Sequence, residues 1–142
     1  MTIQTRGMQI LLIVLIIIVS SSCNFPELKN IAAEEVVKLH ELYNKSNYKE
    51  IYVHATAEFQ DSSSEEKFNK FLTVVKNKIG SVITSKEIQW NVQAINGYSY
   101  VTISYNVTYE KGKAVEMFKY KLFGTTPKLL VYNINSNDLI MN

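Results

Sequence analysis

One acidic residue of the chain falls where a carboxylate could do acid–base chemistry. Glu116 shares its strand parity with Phe118 and Tyr120, so in a regular strand its side chain points toward the apolar side. A carboxylate held away from water next to a hydroxyl group can donate or accept a proton. The alternative is that Glu116 lies at the solvated beginning of its strand and pairs with a lysine.

The tyrosines are the second group of side chains that could line a site. The chain has nine, and those on strands, like the single tryptophan, combine an apolar ring with a polar group. Aromatic residues are also favoured in any half-buried sheet, so ordinary core packing is the alternative. The predicted ligand-binding residues are Glu116, Tyr105, Tyr109, Tyr120 and Trp90.

The sequence predicts no metal centre and no cofactor. His40 and His54 have no Asp, Glu or Cys at a ligand spacing typical of zinc or iron, so each is interpreted as a structural or exposed histidine. No serine stands in a G-x-S-x-G turn, and no glycine-rich phosphate loop is present. We therefore assign no catalytic residue and expect no catalysis.

The N-terminal residues have the pattern of an export signal. Arg6 precedes ten consecutive apolar residues at 10–19, and serines lead from this block to Cys23. Ten residues span about 15 Å as a helix, roughly half the hydrocarbon core of a bilayer. We predict a signal peptide over residues 1–22 rather than a membrane-spanning helix.

The residues around Cys23 resemble the lipobox of bacterial lipoproteins, with Ser21 and Ser22 as the small residues before the cysteine. The resemblance implies cleavage before Cys23, diacylation of its sulfur, and a membrane-anchored protein of the cell envelope facing the periplasm or the exterior. Two alternatives stay open. Ordinary signal cleavage would leave Cys23 as a free thiol, and an uncleaved signal would make the chain a membrane-anchored subunit.

Length and charge limit the number of domains and the kinds of partner that the chain can have. Its 142 residues are enough for one domain, which we place at 28–142 after a tether at 23–27. Fifteen basic against thirteen acidic residues give a net charge of +2, too balanced for the basic footprint of a nucleic-acid-binding protein. Nucleic acid is therefore not expected as a partner.

The hydrophobic pattern predicts helices first and strands second. Apolar residues repeat with a helical period over 28–45 and 48–54, and again between the serines at 62–64 and Gly80. After Gly80 the period becomes two, with a hairpin signal at Asn96-Gly97. The predicted strands cover 82–94, 101–109, 113–123 and 129–134. The predicted fold is α+β, with N-terminal helices packed on a curved four-stranded antiparallel sheet.

This element order, with the N-Y-K-E segment at 47–50, a Phe-rich helix ending in Gly80 and the run G-Y-S-Y-V at 97–101, resembles one group of proteins. They are small bacterial lipoproteins of unknown function with a cystatin-like cone, the fold of nuclear-transport-factor-2-like and ketosteroid-isomerase-like domains. The resemblance covers most of 28–136. It implies a curved sheet around a long helix, with a cavity at the mouth that different relatives use for catalysis, for binding or not at all.

We therefore expect an exported, lipid-anchored binding module of the envelope. Its partner is the membrane through Cys23, together with a small apolar ligand in the cavity or an envelope protein on the open sheet face. A homodimer through the sheet is a further possibility that the resemblance implies. The alternative function is an enzyme with isomerase-like acid–base chemistry at Glu116 and a tyrosine hydroxyl.

Overall fold

The computed structural model describes residues 24–141. The predicted signal peptide and the predicted lipidation site, Cys23, lie outside the described residues. Within the described part of the chain, no helix combines the length and the apolar character needed to cross a bilayer.

Four helices precede the sheet: α1 (Phe25–Asn44), α2 (Tyr48–Val53), α3 (Ala57–Ser62) and α4 (Glu65–Ile79). Helix α1 begins three residues before its predicted start, because proline in its first turn has a backbone angle suited to that position. The tether predicted over 23–27 is therefore helical from its third residue onward.

Helix α3 is a six-residue element that the hydrophobic period did not predict. The side chain of Thr56 accepts a hydrogen bond from the backbone N–H of Phe59 and so caps the helix. The backbone N–H of Thr56 donates to the carbonyl of Leu129. The capped turn therefore lies against the last strand of the sheet, and Phe59 is buried.

Helix α4 begins and ends at the predicted residues. Ser64 accepts a hydrogen bond from the backbone N–H of Lys67, and two glutamates occupy the first turn. The chain leaves the helix at Gly80 with φ of 84°. A Cβ atom at Gly80 would overlap the side chain of Glu110, so the close approach of that residue also requires glycine.

The sheet is an antiparallel meander of four strands in sequence order: β1 (Val82–Ile95), β2 (Tyr98–Tyr109), β3 (Gly112–Phe123) and β4 (Thr126–Asn135). A short helix, α5 (Asn137–Met141), follows. The predicted α+β architecture is confirmed. Asn96 and Gly97 both have positive φ, which is the geometry of a tight two-residue hairpin turn.

The helices cover one face of the curved sheet, which we call the inner face, and the core lies between the two layers. Burying apolar side chains there supplies most of the driving force for folding. The core residues that are less than 2% exposed and come from both layers include Val36, Leu72, Val75, Ile79, Val101, Ile103, Phe118 and Leu122.

Strand β1 departs from the strict alternation that the sequence predicts. The pairing with β2 shifts between Glu87 and Gln89, so Ile88 falls at the irregularity and is 48% exposed. Beyond the shift Trp90 lies opposite the buried Ile103. An extra residue in one strand reverses the parity of the side chains that follow, and a bulge leaves little trace in the residue pattern.

Candidate functional site

Glu116 lies inside the protein on β3 and is 1% exposed. Its Oε1 atom accepts hydrogen bonds from the hydroxyls of Tyr109, at 2.7 Å, and Tyr132, at 2.6 Å. The Nε2 atom of His40 lies 2.6 Å from its Oε2 atom. Glu116 therefore points inward, as its strand parity indicates, and the alternative of a lysine partner at a solvated strand start is wrong, because its partners are a histidine and two tyrosines. We call these four residues the buried polar cluster.

Each member of the buried polar cluster is placed by a different element. His40 lies on α1, four residues after Val36, on the stripe that faces the sheet. Tyr109 ends β2, and Tyr132 lies on β4 opposite Phe118. The cluster therefore joins the helical layer to three strands.

Burial keeps the phenols of the cluster neutral. Removal from water raises the pKa of Tyr109 above its usual range, and the carboxylate of Glu116 raises it further. The pKa of Tyr132 is raised well above its usual value by the same two causes. Both hydroxyls therefore stay protonated at any physiological pH and donate hydrogen bonds to the same oxygen atom.

The hydrogen bonds of the cluster are satisfied internally. Both carboxylate oxygens of Glu116 already have hydrogen-bond partners inside the cluster. To act as a base, Glu116 would have to come within hydrogen-bond distance of the substrate proton that it removes. Among the described residues, none of the four members of the cluster lines the apolar cavity described next. The arrangement is suited to holding the layers together in a defined register.

An apolar cavity of about 350 Å³ lies between α1, α2 and the first half of β4. This volume is in the range of small-molecule sites, roughly 300–1,000 Å³. The apolar lining residues, all buried or half-buried, are Leu39, Leu42, Ile51, Tyr120, Pro127 and Leu129.

Charged side chains surround the apolar lining. Lys38 is paired with Glu35 one helical turn before it, and the carboxylate of Glu35 raises the pKa of Lys38. Oε1 of Glu50, on α2, lies 3.4 Å from Nδ1 of His54, the residue that follows α2. Lys128 on β4 also lines the cavity. Apolar lining with a small number of polar groups at its edge is typical of a ligand site.

Of the five residues that the sequence predicts to bind a ligand, Tyr120 lines this cavity. Its hydroxyl is buried and has no hydrogen-bond partner among the described residues. Burial raises the pKa of Tyr120 well above its usual value, and the charge of Glu35 adds to that shift. A buried hydroxyl without a partner costs about 1–3 kcal/mol, so an acceptor brought within its reach would be stabilised there.

The five residues predicted to bind a ligand do not meet at one place. Tyr120 lines the cavity, whereas Glu116 and Tyr109 belong to the buried polar cluster. Tyr105 packs edge-on against Phe118 with ring centroids 6.1 Å apart, and burial raises its pKa to about 12. Trp90 is 41% exposed, on the part of β1 beyond the bulge.

Neither the place of His40 in the buried polar cluster nor the cavity was predicted from the sequence. His40 stands four residues after Val36 and eight after Ala32, and this helical spacing was a usable signal of burial. The cavity had no such signal, because an unfilled volume depends on how the helices pack. Within 24–141, no cluster of three or more potential metal-ligating side chains is present.

Comparison with known proteins gave no relative: no protein-family model matches the chain, and a search of the curated proteins found no match.

Proposed function

We propose that this chain is an exported, lipid-anchored binding module that holds a small apolar ligand in the cavity between α1, α2 and β4. The observation that carries this proposal is the cavity itself, with six apolar residues on its wall and charged side chains at its edge. Desolvating an apolar molecule there is favourable by about 25 cal/mol per Å² of buried surface.

The fold agrees with this function. The curved four-stranded sheet with helices on one face is compatible with a cystatin-like cone, and we propose that the chain belongs to that structural group. In such a cone the helices and the sheet separate at one end, which leaves room for an occupant. Function then depends on the side chains of the cavity rather than on the fold.

The chemistry of the wall indicates the kind of ligand. Apolar side chains favour a hydrocarbon body, and the unpartnered hydroxyl of Tyr120 favours one acceptor oxygen, such as a ketone, ether or ester. Because the hydroxyl is shielded from solvent, we propose that a small side-chain rotation accompanies this hydrogen bond. We therefore propose a small apolar molecule with a single acceptor group.

Filling the cavity tests this function. The fluorescent probe 8-anilinonaphthalene-1-sulfonate is titrated into the protein and displaced with decanol or 2-decanone. Leu42→Trp places a large ring in the cavity and is expected to lower probe affinity at least about 10-fold, which corresponds to about 1.4 kcal/mol. Val37→Trp is the matched control, because Val37 lies on the same helix, is 57% exposed and does not line the cavity.

Equal probe affinity in the two variants would show that the cavity is not the ligand-binding site. Tyr120→Phe adds a test of the acceptor oxygen. Without its hydroxyl, the protein should bind 2-decanone more weakly, while its affinity for undecane stays unchanged. A loss of affinity for both ligands would show that the ring, and not the hydroxyl, recognises the ligand.

Anchoring at Cys23 is tested by the intact mass of the protein recovered from cells. We expect the mass of the chain from Cys23 onward plus a diacylglyceryl group, and incorporation of labelled palmitate that Cys23→Ser abolishes. An unmodified chain that begins at Cys23 would indicate ordinary signal cleavage. A mass that includes Met1 and does not change when lipoprotein signal peptidase is inhibited would indicate an uncleaved membrane-anchored subunit.

The buried polar cluster favours a second candidate function, acid–base catalysis at Glu116. A shielded carboxylate with tyrosine hydroxyls beside it can move a proton next to a carbonyl group. Its test is the isomerisation of a β,γ-unsaturated cyclic ketone, followed by ultraviolet absorbance. Turnover that Glu116→Gln lowers at least about 100-fold would support the enzyme, and turnover unaffected by this substitution would exclude Glu116 as the base.

A further inference from the structure

The face of the sheet opposite the helices, which we call the outer face, carries a one-sided charge. Within the described strands the pairing register places lysines but no acidic residue on this face, since Glu87 and Glu116 both point to the inner face. The outer-face lysines are Lys86, Lys113, Lys119, Lys121 and Lys128. The helical side carries most of the acidic residues, so the small net charge of the chain conceals a positive sheet face.

Three of these lysines lie among aromatic rings at one end of the sheet. The Nζ atom of Lys121 is 4.5 Å from the ring centroid of Tyr98 and 5.3 Å from that of Phe123. Lys119 lies 5.3 Å from the ring of Tyr100. We call the six residues of this region the basic–aromatic patch: Tyr98, Tyr100, Lys119, Lys121, Phe123 and Lys128.

The lysines of the patch repel one another, and this repulsion lowers the stability of the sheet. Lys121 and Lys128 are directly opposite each other on β3 and β4, an arrangement that destabilises a sheet. Lys121 is compensated by Glu58, whose oxygen lies 2.7 Å away. Lys128 is exposed beside the ring of Phe123, and the half-buried Lys119 lies beside the ring of Tyr100. The rings of Tyr98 and Phe123 are about 40% exposed. An anionic surface would relieve the repulsion.

The patch lies at the same end of the domain as the beginning of α1. At the opposite end, the side chain of Asn44 bonds the backbone N–H and carbonyl of Val82, where α1 ends and β1 begins. Further along, Lys29 pairs with Glu87 at 3.0 Å, so α1 runs antiparallel to β1. The beginning of α1 therefore points toward the end of the sheet that carries the β1–β2 hairpin and Tyr98.

We propose that the basic–aromatic patch docks on the anionic lipid headgroups of the membrane to which the chain is tethered. This inference rests on the proposed anchoring, because Cys23 directly precedes Asn24 and would hold the patch close to the bilayer. Lysines near an anionic surface contribute about 1 kcal/mol each, and aromatic rings with a polar neighbour are favoured at headgroup depth. A second copy of the chain fits poorly, because it would bring two lysine-rich faces together.

The test uses the full chain with its anchor, reconstituted in phosphatidylcholine vesicles with or without phosphatidylglycerol. In a Trp90→Phe background, Tyr98→Trp places the only tryptophan in the patch, and Val37→Trp places it on the helical side as a control. Flotation with the vesicles first reports anchoring. Quenching by brominated lipids then reports contact with the bilayer. We expect quenching of Tyr98→Trp in anionic vesicles and none for Val37→Trp.

Charge removal sharpens the test. Lys119→Gln with Lys128→Gln is expected to lower the ratio of docked to undocked protein about 30-fold, whereas the matched pair Lys67→Gln with Lys70→Gln on exposed α4 positions leaves it unchanged. High salt should weaken docking in the same direction.

Flotation without quenching of Tyr98→Trp would overturn the docking proposal and leave the anchor intact, whereas loss of flotation would overturn the anchor. Equal quenching in neutral vesicles would overturn the electrostatic basis. A tryptophan signal that depends on protein concentration rather than on lipid would identify a second copy on the outer face and would also overturn the proposal.

Discussion

The imidazole of His40 and the carboxylate of Glu116 meet at 2.6 Å across 76 residues of sequence, and both side chains are buried. This contact joins the middle of α1 to β3. Because buried polar groups lose water on folding, their mutual hydrogen bonds must be complete for the packing to be stable. The buried polar cluster therefore specifies how the helical layer is placed on the sheet.

Glu116→Leu is expected to destabilise the domain by about 3–5 kcal/mol, because His40, Tyr109 and Tyr132 would all lose their shared acceptor inside the core. The measurement is urea unfolding followed by circular dichroism. Glu116→Gln is the matched control, since its amide oxygen still accepts from the tyrosines and its amide nitrogen can donate to His40. Its cost should be near 1 kcal/mol. Equal loss in the two variants would show that the negative charge of Glu116, and not its neutral hydrogen bonding, is what the fold requires.

Tyr109→Phe and Tyr132→Phe should be coupled, because both hydroxyls donate to the same oxygen of Glu116. After one substitution that oxygen still has one donor, so each single change costs about 1–2 kcal/mol. The double variant leaves the oxygen with neither donor and should lose more than the sum, by about 0.5–1 kcal/mol. A double-mutant cycle on unfolding free energies measures the coupling, and simple additivity would contradict the shared acceptor.

Gly80→Ala should destabilise the domain more than Gly97→Ala. Both glycines have positive φ, near 84° and 81°. An added Cβ meets nothing within 4 Å at Gly97, but it overlaps the side chain of Glu110 at Gly80. We expect a loss of about 1 kcal/mol at Gly97 and about 2–4 kcal/mol at Gly80. Thermal unfolding of both variants gives the comparison, and equal losses would mean that Glu110 moves aside freely.

Alkaline pH should unfold the domain cooperatively. The pKa values of Tyr109, Tyr120 and Tyr132 are raised by burial. A phenol with a raised pKa in the folded state contributes stability that is fully present below its unfolded pKa of about 10 and is lost as pH rises toward the folded value. With three such groups, the unfolding free energy falls by up to about 4 kcal/mol per pH unit above pH 10.

The alkaline transition is followed by phenolate absorbance at 295 nm together with circular dichroism. The two signals should change together for the buried tyrosines, and Tyr132→Phe should make the pH dependence shallower. Ionisation of all nine tyrosines before any loss of circular dichroism would contradict the burial of these phenols.

Local sequence signals determined the elements of this protein. The helical period, the cap at Ser64, the exit at Gly80 and the hairpin at Asn96-Gly97 act within a few residues, so they are readable without knowing the fold. The orientation of Glu116 was also readable, since β3 is regular and parity is preserved along it. Helix α3 was missed because Phe59 is its one buried side chain and gives no apolar repeat, whereas α2, equally short, buries Tyr48 and Ile51.

Packing between distant elements decided the site. His40 meets Glu116 only because α1 crosses the inner face at one position, and the bulge in β1 moves Ile88 out of the predicted alternation. The cavity and the clustering of lysines on the outer face depend on how helices and strands are placed in three dimensions. Residue types along the chain determine which surfaces are apolar or charged, but free volume and proximity are properties of pairs of elements, so only the tertiary structure decides them.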